Sequence, residues 1–261
     1  MINNQPALFV SHGSPMMAVE NSKTSRFLKV LGQSLPRPKA IIVFSAHLDL
    51  PEDIVITAGR NPKTIHDFYG FPDALYQIQY DAPGSPELAQ DIAGRFEQAG
   101  LTPKLNRRQS WDHGVWIPLR LMYPAADIPI VQVSINSRLG ASHHYIYGKL
   151  LASLRAENIM IMGSGGISHN LGEVFSPLPT PNRSNMVKEF TAWVEDKLMT
   201  NDVDGLLDYM EEAPHVMFNH PTQEHFLPLI AVLGSCDTDT VEKIHSDIEY
   251  DVLALDAYLF S

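Results

Sequence analysis

Cysteine is almost missing from this chain: Cys236 is the only one in 261 residues. An intrachain disulfide is therefore impossible, and a zinc site built on thiolates is excluded. So little cysteine fits a reducing, cytoplasmic setting. Long apolar runs are missing too. No stretch approaches the ~20 residues of a membrane-spanning helix, so no membrane partner is expected. The opening "MINNQPALFV" has neither the basic start nor the long apolar centre of a signal peptide. Positive charge is scarce: 19 Lys and Arg face 30 Asp and Glu, a net charge of -11. With no basic run, the chain lacks the electrostatic footprint of a nucleic-acid binder, and its acidity argues mainly for solubility. Internal repeats, low-complexity tracts and flexible linkers are also absent, which reads as one domain over residues 1–261.

What the chain does have is an ordinary apolar fraction of 44% and eleven histidines. Four short apolar runs read as buried strands: Ala7–Ser11, Ala40–Ala46, Ile128–Ile135 and Ile159–Gly163. Most lack polar alternation, as expected of a parallel sheet covered on both faces. Between and after them lie helical patterns. One starts at Ser85-Pro86-Glu87, a cap followed by proline at the first helical position, and stops at Gly100. Others span about Ser142–Glu157 and Asn185–Met199. Asp247–Leu253 and Asp256–Phe260 read as further strands, antiparallel at an edge. The predicted fold class is α/β, with a mostly parallel central sheet flanked by helices and some antiparallel edge strands.

Ligands of such sheets bind beyond the carboxyl ends of the strands. Two histidines stand there: His12 in "LFVSHGSP" and His47 in "IIVFSAH". If their strands lie close together, both rings project into one crevice, with the turn Gly13-Ser14-Pro15 leaving room beside His12. His169 in "GSGGISHNL" again follows a strand, and the glycines there suggest a backbone that something approaches closely. The loop is neither a dinucleotide fingerprint nor a Walker loop. His113 in "WDHGVWIPL" follows Asp112, which either orients the ring or caps a helix. His66 and Tyr69 in "TIHDFYGFP" belong to an aromatic loop that could wall a flat ligand or simply pack on itself. His225 in "NHPTQEHFLPL" sits between two prolines, at a loop–helix junction. His143, His144, His215 and His245 read as surface or packing residues. Three imidazoles from this set could bind a divalent metal and leave coordination positions open for catalysis, and iron and zinc both accept imidazole. Spacing alone does not pick the three.

The ordered set "SHGSPM", "VFSAH", "TIHDFYGFP", "APGSPELA", "DHGVWIPL", "YPAADIPIVQVSI", "SHNL" and "PTQEHFLPLIAVLG" runs from Ser11 to Gly234. It resembles the class III extradiol ring-cleaving dioxygenases, specifically the 4,5-DOPA extradiol dioxygenase branch. The resemblance implies one divalent metal per chain, Fe(II) for activity or Zn(II) as bound, held by His12, His47 and His225. It implies catalytic proton handling by His113 and His169, the latter counted as a metal ligand in some descriptions. It sets His66, Tyr69 and Ser14 as candidates for contact with substrate. The implied reaction inserts O2 into a catechol ring, L-DOPA or a related catechol, and gives a ring-opened semialdehyde. The expected partners are thus a small catechol and O2, for a monomer or small homo-oligomer.

Two other functions fit part of the pattern. A metal-binding interaction or regulatory protein of the same fold would keep the ligands, but it would have no use for His113 and His169. A zinc hydrolase would need a carboxylate base, and Glu224 beside His225 is the one to propose.

Overall fold

A computed structural model describes residues 4–51, 54–236 and 240–261. Its strands are β1 (Ala7–Ser11), β2 (Ala40–Asp49), β3 (Ile54–Thr57), β4 (Pro103–Asn106), β5 (Ile130–Ile135), β6 (Ile159–Gly165), β7 (Val241–His245), β8 (Ile248–Glu249), β9 (Leu253–Ala254) and β10 (Ala257–Phe260). Eight of them form one sheet in the order β4-β3-β5-β2-β6-β1-β10-β7. The centre is parallel: β6 lies between β1 and β2, and β5 flanks β2. Antiparallel pairs join β10 to β1, β7 to β10 and β3 to β5.

The central strands are buried on both faces because helices cover both. On one face Phe9, Ile42, Phe44 and Ile161 pack with Phe96, Tyr147, Phe190 and Leu229. These come from the helices Pro86–Gln98, Gly140–Leu151, Arg183–Met199 and Leu227–Gly234. On the other face Leu8, Val10, Val43 and Met162 pack with Leu28, Val115, Trp116 and Leu119. Those belong to the helices Lys23–Ser34 and His113–Met122. Local signals set the boundaries. Ser85 accepts a hydrogen bond from Leu88 N–H at 3.2 Å, and Gly100 takes a positive φ of 83° that favours glycine.

The C-terminal expectation needs two corrections. Residues 247–253 are not one strand: Tyr250 and Asp251 both adopt positive φ (55° and 60°), so the chain reverses there and β8 pairs with β9 in a separate hairpin. β10 is antiparallel as expected, but it is an inner strand because β7 lies outside it. The short strands β4 and β7 carry little apolar pattern. β4 is half exposed at the sheet edge and begins with a proline, a position that edge strands tolerate.

Candidate metal centre

β1 and β2 do not touch; each pairs with β6, with Val10 and Ser45 both opposite Ser164. Side chains alternate along a strand. Val10, Ser164, Ser45 and His47 therefore share one face, and His12, one residue past β1, returns to it. The two imidazoles meet above the end of β6, with Nε2 of His47 2.9 Å from Nε2 of His12. The N-terminus of the His113–Met122 helix supplies a third ring, 3.8 Å from His47 between centroids.

His225 arrives from the opposite helical layer. Its approach is possible because β6 ends in glycines. A Cβ on Gly163 would overlap the Pro228 carbonyl, and one on Gly165 would overlap the His225 carbonyl. With no Cβ there, Gly166 N–H donates to the His225 carbonyl at 3.0 Å. The His225 ring then lies 5.3 Å from His12 and 5.2 Å from His47. His169 stacks on it, with centroids 3.4 Å apart and planes 9° apart. Five histidines spread over the sequence thus converge on one point.

Neighbours fix the outer nitrogens of three of them, His12, His225 and His113. Pro118 has no N–H to offer the carbonyl four residues back in its helix, that of Gly114. This carbonyl accepts the Ser164 hydroxyl proton at 2.5 Å. The Ser164 oxygen is left to accept Nδ1–H of His12 at 3.0 Å, so the His12 Nε2 carries its lone pair. Nδ1–H of His225 donates to the Glu224 carboxylate at 3.0 Å. Nε2 of His225 is buried and meets no hydrogen-bond partner among the described residues. Nδ1–H of His113 donates to Asp67 Oδ2 at 2.9 Å. Metal-binding histidines are usually held this way, through the nitrogen that faces away from the ion.

Electrostatics favours the same state. Burial, reinforced by the neighbouring imidazoles, pushes His12 and His225 far below the ordinary histidine range. Burial and the nearby His113 push His47 down to about 3. Burial lowers His169 to about 4. Neutral imidazole is the form that binds metal. Donor atoms ~2.0–2.1 Å from one metal and about 90° apart lie ~3 Å from each other, close to the His12–His47 separation. This pair of nitrogens therefore fits one divalent metal. His12, His47 and His113 offer nitrogens within 4.8 Å of one another, and so do His169 and His225 together with a Glu224 oxygen.

Asp112 proves to be the helix cap, accepting from Val115 N–H at 3.2 Å, from the Ser45 hydroxyl at 2.7 Å and from Gln132. The carboxylate bonded to His113 is that of Asp67, whose two oxygens accept its backbone and ring N–H groups. His66 packs among Phe68, Tyr76 and Trp116 and bonds to the Ile78 carbonyl. Tyr69 is 92% exposed. Ser14 caps a short 3-10 turn and lines a separate cavity of about 190 Å³ with Met17, Glu20 and Tyr250. Buried His144 is a packing residue, bonded to the Gly140 carbonyl and the Asn136 N–H. Among the described residues, no helix is long and apolar enough to cross a membrane.

Residues 6–260 match the family described as the catalytic LigB subunit of aromatic ring-opening dioxygenase. The chain is 43% identical over 240 residues to the 4,5-DOPA dioxygenase extradiol of Escherichia coli (strain K12), covering 89% of this chain and 85% of that protein. It is 37% identical over 264 residues to the 4,5-DOPA dioxygenase extradiol of Beta vulgaris, covering 99% and 97%. The crystal structure of an uncharacterized Escherichia coli K12 protein superposes with a TM-score of 0.81 at 34% identity, covering 98% of this chain and 100% of that one.

Proposed function

The chain belongs to the LigB family of aromatic ring-opening dioxygenase catalytic subunits, and from that premise we propose that it opens DOPA or a closely related catechol by extradiol cleavage, using a metal on His12, His47 and His225. The 4,5-DOPA dioxygenases among its relatives support the substrate class. One observation carries the ligand set. His12 and His225 each have Nδ1–H tied to an acceptor, and the Nε2 of His225 is buried without a partner among the described residues. A buried bare nitrogen is costly unless something takes its lone pair.

A redox-active divalent metal there, iron in this proposal, would bind the diol, make its hydroxyls more acidic and activate O2. The protein's own part is proton traffic. His169 is neutral and stacked on His225, and it accepts a proton from the diol. His113 exchanges protons through Nε2, since Nδ1 is committed to Asp67. His47 and Asp67 are each about one-fifth exposed and mark the open side of the cluster, where substrate enters. Glu224 serves His225 and accepts from Thr222, which argues against a free general base for hydrolysis.

A second ligand set deserves a test because the nitrogens of His12, His47 and His113 are also close together. In that set His113→Ala loses the metal and His225→Ala keeps it; the proposal requires the reverse. The function itself is tested by anaerobic loading with Fe(II), then O2 and a panel of catechols including L-DOPA. Oxygen uptake with a yellow ring-opened product is the expected result. No turnover of any catechol at full iron occupancy would refute it.

A further inference from the structure

We propose that Asp67 is a positioning residue of the ring-opening reaction, holding His113 in a single orientation and tautomer; this rests on the proton role given to His113 above. Both carboxylate oxygens serve that one residue. Oδ1 accepts the His113 backbone N–H at 2.9 Å, and Oδ2 accepts its ring Nδ1–H at 2.9 Å. Nδ1 of His47 lies 3.6 Å from Oδ2, beyond a hydrogen bond, so the carboxylate is committed to His113. A carboxylate only accepts, and this fixes the imidazole proton on Nδ1 and leaves Nε2 as the nitrogen that exchanges protons.

The loop that presents Asp67 is itself clamped to the start of the His113 helix. Trp111 N–H donates to the Lys63 carbonyl, Ile65 N–H donates to the Trp111 carbonyl, and Trp116 Nε1–H donates to the Ile65 carbonyl. Phe68 closes edge-on over the His113 ring, with centroids 5.6 Å apart. Helix capping does not explain the carboxylate, because Asp112 already fills that role. Burial pushes the Asp67 carboxyl up, yet the His113 hydrogen bond and charge hold it below the usual carboxylate range. The arrangement is that of a carboxylate orienting a catalytic imidazole, which also stabilises the ring when Nε2 takes a proton.

The test compares the full-length protein with its Asp67→Asn and Asp67→Glu variants, which keep the shape and the acid, respectively. Two-bond ¹H–¹⁵N correlation spectra report the His113 tautomer without any turnover, with the His113 signals identified by their loss in His113→Gln. The wild-type ring should carry its proton on Nδ1. In Asp67→Asn the amide N–H₂ turns to Nδ1 and the proton moves to Nε2. Turnover should then fall about 10²- to 10⁴-fold, with catechol KM within about threefold and metal content unchanged. Asp67→Glu should recover at least about tenfold of that loss. An Nδ1–H tautomer retained in Asp67→Asn would overturn the proposal, and so would turnover within about threefold of wild type. A wild-type protein inactive on every catechol would refute the function instead, and the tautomer spectra would still decide the role of Asp67.

Discussion

Ser164→Ala removes one hydroxyl and breaks a chain of contacts that begins at a proline. Pro118 frees the Gly114 carbonyl, the Ser164 hydroxyl fills it, and the Ser164 oxygen then holds Nδ1–H of His12. Ser164, Gly114 and His12 are all buried, so the variant leaves a carbonyl and a ring N–H without partners. Each such loss costs about 1–3 kcal/mol, so the metal-free chain should lose about 2–6 kcal/mol in urea unfolding at an unchanged slope. His12 also becomes free to change tautomer and present the wrong nitrogen. Removing a partner of this kind lowers metal affinity about 10- to 100-fold, which corresponds to about 1.4–2.8 kcal/mol. Competition against a chromophoric chelator measures that affinity. A Ser164→Ala chain that binds the metal within about twofold of wild type would refute the tautomer argument and the role of His12 with it.

Other consequences follow from the same geometry. His12→Ala and His47→Ala should abolish metal binding in elemental analysis, whereas His169→Ala should keep the metal and lose turnover by at least about 10²-fold; loss of metal in His169→Ala would make that residue a ligand. Gly165→Ala puts a Cβ into the His225 carbonyl, so it should displace that ligand and weaken metal binding at least about tenfold, and undiminished affinity would contradict the placement of His225. Burial lowers His144 and His220 to about 4 each, well under the ~6.5 of an unfolded histidine. Between those values the unfolded chain takes up protons that the native chain refuses, so stability is full above pH ~6.5 and falls as pH drops toward about 4. Denaturant unfolding of the metal-free protein that stays flat between pH 7 and 4.5 would contradict this.

The parts legible in sequence were those governed by local rules. β1, β2, β5 and β6 declared themselves as apolar runs, and strand-end logic paired His12 with His47. The sequence could not say that β6 lies between their strands, because strand order depends on long-range packing. The glycines after Met162 announced a close approach, but only the fold shows that His225 and Pro228 make it. No local spacing links residue 225 to residue 12, and the resemblance alone supplied that ligand. Asp67 went unnoticed because its meaning lies in a bond to a residue 46 positions away. Its one sequence signal was a carboxylate within an otherwise aromatic loop. The reversal at Tyr250-Asp251 was hidden for a different reason: two non-glycine residues at positive φ leave no glycine to mark the turn.

The central claim is that this five-histidine cluster places both atoms of O2 into a catechol ring. Mass spectrometry of the product formed from L-DOPA by the iron-loaded protein under ¹⁸O₂ tests it most directly. The account predicts a ring-opened product labelled by up to two oxygen atoms, one of them in the new carboxylate and the other in the exchangeable aldehyde. An unlabelled product, or oxygen consumption that yields only the quinone, would contradict it.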